Sequence, residues 1–118
     1  MDRKGLLYQL NPAQRAEAAV DLRAAADLIE QHGWVQHVSD RDGCLCAAEA
    51  ILQATKQFCG DDCLGFQCRN SLALIALGKF IGMLVVVWND TVAIHQSQVL
   101  AVMRECAAWL DELALVSA

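Results

Sequence analysis

Met83-Leu84-Val85-Val86-Val87-Trp88-Asn89-Asp90 is the stretch whose reading decides the fold, an apolar run that closes on an indole and two polar residues. Its β-branched content would suit a strand, but no other segment offers a matching sheet partner. A short buried helix is therefore expected over 83–87, with Asn89-Asp90 as a turn or cap behind it. Upstream, Leu72 to Trp88 carries Lys79 as its one charge and is interrupted by Gly78 and Gly82. A bilayer-spanning helix needs about 20 apolar residues and tolerates a central Lys poorly, so the segment reads as buried core and no membrane association is expected.

Outward from that run the chain reads as helix. Asn11-Pro12 carries a capping side chain and a residue suited to a first helical turn. From there Ala18, Leu22, Ala25, Ala26 and Ile29 recur at helical spacing, while Arg15, Glu17, Asp21, Arg23, Asp27 and Glu30 point elsewhere. Gly33 after His32 ends this helix in a left-handed residue, and Trp34 can fold back on its last turn. Gln36 to Gly43 reads as a loop, with Ser39-Asp40-Arg41-Asp42-Gly43 as turn chemistry. A second helix is expected over Cys44 to Phe58, stopped by Gly60. Cys59 to Arg69 reads as too broken for a long element, with a third helix capped by Asn70 or Ser71 and stopped or kinked at Gly82. A last helix is expected from about Gln96 to Leu115, with Val99, Met103, Cys106, Leu110 and Leu113 on one stripe.

A chain of 118 residues, 56% apolar and 19% charged, is enough for one core and is not disordered. The formal charge of -5 gives no general attraction for phosphate backbones, so nucleic acid is not an expected partner. Met1-Asp2-Arg3-Lys4 is followed by no apolar signal-peptide region, and a cytoplasmic location is expected.

In that compartment the six cysteines, Cys44, Cys46, Cys59, Cys63, Cys68 and Cys106, are expected to be thiols. Cys59, Cys63 and Cys68, with Cys44, Cys46 or His37, form a candidate zinc set, though no CxxC pair supports it. Cys44 and Cys46 stand at a helix start, where the dipole and free amides can activate a thiol. With His32, His37 or His95 as base and Asn89 or Asp90 as orienter, they sketch a cysteine-dependent hydrolase or transferase; Cys46, His32 and Asp90 are its candidate set. The same residues also read as a helix start packed with small side chains. Trp34, Trp88, Asn89 and Asp90 are the candidate binding residues. Their alternative is structural: indoles buried on one face and tethered through N–H, followed by a turn. Trp109 is a candidate partner anchor on the last helix.

Leu22 to Trp34, Cys46-Ala47-Ala48-Glu49-Ala50, Val87-Trp88-Asn89-Asp90 and Val99-Leu100 together resemble a small uncharacterised family of actinobacteria and their phages. Its members share a Gly-Trp helix end, a Cys-x-x-Gly-Ala helix start and a Trp-Asn-Asp motif. Glu49 stands where Gly is usual, and Thr91 to Ile94 lack the Pro-Gly-Arg-Thr turn that usually follows. The resemblance implies a setting and no activity: a phage or prophage accessory protein inside a host cell.

The expected architecture is all-α, a single-domain orthogonal bundle of four to five helices over 11–118, packed around Trp34 and Trp88, with 1–10 as an N-terminal arm. The expected function is binding of a host protein, without cofactor. A cysteine-dependent enzyme and a zinc-stabilised module are the alternatives, and the apolar content also allows a homodimer.

Overall fold

The computed structural model describes residues 10–38, 40–59 and 63–117, with side chains described except at 58–59, 63–71 and 114–117. Within them lie five helices: α1 (Pro12–His32), α2 (Ala47–Cys59), α3 (Cys63–Ile81), α4 (Val85–Thr91) and α5 (Gln96–Ser117). Between α1 and α2 sits one small hairpin, β1 (Asp40–Arg41) and β2 (Cys44–Leu45). The all-α reading holds, with the hairpin as its addition.

Asn11 starts α1 with a capping box. Its side chain accepts from the Gln14 amide at 2.8 Å, and Gln14 Oε1 accepts from the Asn11 amide at 3.0 Å. Gly33, at φ +99°, ends the helix after His32, where the sequence places the stop. Ala18, Leu22, Ala25, Ala26 and Ile29 are fully buried as expected. Arg15 and Asp21 are buried too, against expectation. The reason is position: α1 packs on α5, α2 and α3, so its covered surface is wider than one stripe. This helix, rather than the 83–90 run, is what the core gathers around.

Arg104 on α5 pairs with Asp27 at 2.9 Å and Glu30 at 3.0 Å, and Arg23 pairs with Asp111 at 2.7 Å. Rising numbers on α1 meet falling numbers on α5, so the two helices run antiparallel. Of the expected stripe of α5, Val99, Met103, Cys106 and Leu110 are fully buried and Leu113 is half-buried against the core.

Two boundaries depart from expectation. Cys44-Leu45 belongs to the hairpin and delays α2 to Ala47. Asp42 and Gly43 both take positive φ, the conformation that a two-residue hairpin turn needs. The other departure is α3, which starts at Cys63 rather than Asn70. Gly60 as the stop of α2 lies outside the described residues.

The largest correction concerns 83–87. The segment is helical from Val85, but it is not buried as a whole. Gly82, at φ +81°, ends α3, and the axis bends by 52° before α4. Val85, Trp88 and Asn89 turn inward, whereas Leu84 is 75%, Val86 55% and Val87 44% exposed. A helix this short has one face on α2 and α3 and one face outward, and a continuous apolar run carries no periodicity to say which residues go where. Among the described residues no single helix is long and apolar enough to cross a membrane.

Candidate functional site

The site is built where the Gly-Trp end of α1, the start of α2 and the inner face of α4 converge. Gly33 is required by both conformation and space, since a Cβ there would lie 2.8 Å from Cys44 Sγ. The chain then runs beside β2: Leu45 donates to the Gly33 carbonyl at 2.9 Å, and Val35 donates to the Leu45 carbonyl at 3.1 Å.

That course points the Trp34 indole at Asn89, and Nε1 donates to Asn89 Oδ1 at 2.7 Å. The same oxygen accepts from the Ala47 amide, at the start of α2, at 3.0 Å. On the other side, Asn89 Nδ2 donates to the Val35 carbonyl at 3.1 Å and to Asp90 Oδ1 at 2.9 Å. Two acceptor positions and two donors are all used, on a side chain 1% exposed. Asp90 Oδ1 also accepts from the His37 amide at 2.7 Å, which holds His37 at φ +70°. The His37 amide, followed by the Asn89 side chain, keeps the Asp90 carboxyl below its ordinary pKa, so it is ionised at neutral pH. Gln36 Nε2 completes the clamp by donating to the Asn89 and Ala93 carbonyls, both at 3.0 Å.

Cys46 caps α2, its sulfur accepting from the Glu49 amide at 3.3 Å. Burial, with smaller contributions from the Glu49 and Asp90 charges, raises the thiol pKa above its usual value. At neutral pH it is a thiol that caps a helix rather than a thiolate.

Two clefts flank α4. One, about 320 Å³, is lined by His37, Cys46, Glu49, Leu74, Val86 and Asp90 among others. The other, about 310 Å³, is lined by Phe80, Met83, Trp88, Val92, Val102 and Glu105 among others. Between them stand the exposed Leu84 and Val87, and Ile94 is 71% exposed just beyond the helix.

Of the candidate binding residues, Trp34, Asn89 and Asp90 are brought together in the clamp, while Trp88 is buried and lines the second cleft. Of the candidate catalytic set, Cys46 and Asp90 share the first cleft with His37, but His32 is exposed at the end of α1 and does not line it. Trp109 is half-buried against Phe80, ring centroids 5.3 Å apart, rather than a free anchor. The side chains of Cys59, Cys63 and Cys68 lie outside those described, and among the described residues no cluster suits a metal ion. Sequence reasoning missed Glu49 and the outward side chains of α4 as surface features. Glu49 had a signal, a carboxylate in the first turn of a helix; Leu84 had none.

With this geometry in place, the chain belongs to a family of unknown function (DUF6197), matched over residues 13–108. No curated protein and no solved structure matches it.

Proposed function

We propose that the chain is a small protein-binding module that docks its partner on the outward crest of α4. The observation that carries this reading is Leu84. It occupies the N-cap of α4 with no side-chain hydrogen bond to the free amides, and it is the most exposed of the large apolar residues described. Asp, Asn, Ser or Thr at an N-cap is worth about 0.5–2 kcal/mol over an apolar residue, so Leu84 departs from the local optimum and gains no burial in return. Departures of that kind gather at functional surfaces. Val87, one helical turn along from Leu84, and the neighbouring Val86 are exposed as well.

The resemblance to actinobacterial and phage proteins supplies the setting: a phage or prophage accessory protein acting in the host cytoplasm on a host protein. Co-purification from a mycobacterial host with the wild-type chain and the Leu84→Asp/Val87→Asp variant tests it. A stoichiometric partner that is lost with the variant is the expected result, and a partner retained by a folded variant overturns the reading.

A second reading, a cysteine-dependent hydrolase or transferase, is favoured by the shared cleft of Cys46, His37 and Asp90. The raised thiol pKa and the use of Asp90 Oδ1 by two amide donors weigh against it. Thiol titration at neutral pH decides: slow labelling of Cys46 supports the binding module, and hyper-reactivity supports the enzyme.

A further inference from the structure

The two clefts beside α4 share a charge pattern that the crest alone does not reveal. Apolar side chains line both, Val38, Leu52, Leu74 and Val86 on one side and Phe80, Ile81, Trp88 and Val102 on the other. The charged side chains lining them are Glu49 and Asp90 in the first cleft and Glu105 in the second. No Lys or Arg lines either cleft among the described residues, and His37 is the remaining titratable side chain apart from Cys46. Asp90 stays ionised, as described above. Glu49 sits in the first turn of α2, where the helix dipole favours an anion. The crest is therefore an apolar strip with carboxylates to either side, on a chain of net charge -5.

From this pattern, and resting on the reading of α4 as a docking element, we infer that the crest and its flanking clefts take a basic amphipathic helix, whose apolar face covers Leu84 and Val87 while its Lys and Arg side chains reach Glu49, Asp90 and Glu105. Long basic side chains suit such clefts because their methylene stems cover apolar lining while the charged head meets a rim carboxylate. A second copy of this chain is the poorer occupant. Packed crest to crest, it would bring acidic rims together with no cation on either lining to offset them.

Fluorescence anisotropy with two labelled model peptides tests the inference, one patterned from leucine and lysine as an amphipathic helix and one with glutamate replacing lysine. The leucine–lysine peptide is expected to bind the wild-type chain, the leucine–glutamate peptide far more weakly. Glu49→Lys is expected to weaken the former about fivefold or more, consistent with loss of an attraction and gain of a repulsion at a surface site. Glu17→Lys, with the same change in net charge on the exposed side of α1, is expected to change it less than twofold.

Equal weakening by the two substitutions would reveal non-specific attraction and overturn the inference, as would equal binding of the two peptides or binding of neither. Leu84→Asp separates the layers. If it abolishes binding of two equally bound peptides, the crest stands and the basic occupant falls; if it leaves the leucine–lysine peptide bound, the crest itself falls. Sedimentation of the wild-type chain as a dimer that Leu84→Asp dissociates would make a second copy the occupant and also overturn the inference.

Discussion

The two faces of α4 obey opposite rules. Inward, every polar atom of the Asn89 side chain is matched, with Asp90 at the edge of the network, and Val85 and Trp88 join the core. Outward, Leu84, Val86 and Val87 are apolar and stay largely in contact with solvent. Folding accounts for the first face and not for the second. A seven-residue helix is too short to be stable alone, so its clamp to α1 and α2 is what holds the outward face in one orientation. The difference separates a fixing face from a presenting face, and the presenting face can be broken without the fixing one.

The fixing face should break hardest. Asn89→Ala leaves the Trp34 indole N–H, the Ala47 amide and the Val35 carbonyl without their partner, and a loss of about 3 kcal/mol or more in urea unfolding is expected. Trp34→Phe removes one donor and should lose less, which a parallel measurement would rank. Gly33→Ala combines a left-handed φ with a close approach to Cys44 Sγ, for an expected loss of about 1–3 kcal/mol. Adding Cys44→Ala should recover the steric part and leave the conformational part, because the Cys44 Cβ lies at an ordinary 3.7 Å from the added carbon.

Acid acts on the same face more gently. The Asp90 pKa is depressed in the folded chain, so its contribution to stability is present above the unfolded carboxylate value near 4 and fades as pH falls from there through the folded value. Asp90→Asn should flatten that part of the stability-against-pH curve, and an unchanged acid limb would contradict the assigned role of the carboxylate.

How far the sequence reveals these two faces differs by element. The ends of α1 are legible because Asn11-Pro12 and Gly33 act within one turn, and the α5 stripe is legible because its spacing is regular. The clamp is half legible. Trp34 and the Asn89-Asp90 pair stand out by composition, but a bond across 55 positions depends on packing that no local pattern encodes. The hairpin is hidden because its strands have two residues each. The early start of α3 is hidden behind glycines and cysteines that read as loop. The presenting face is the least legible of all: five consecutive apolar residues over 83–87 look like core, and a run without alternation cannot reveal which of them the helix turns to water.

The smallest stability effect is the most informative. Leu84→Asp places a capping carboxylate at the start of α4 on a side chain that is already 75% exposed, and nothing buried is lost. Urea unfolding of this variant, paired with the co-purification proposed above, tests the separation of the two faces directly. The expected result is a gain of about 0.5–1 kcal/mol in stability together with loss of the partner. A destabilised variant would mean that Leu84 belongs to the core, and a stabilised variant that keeps its partner would mean that the crest of α4 is not where the protein binds.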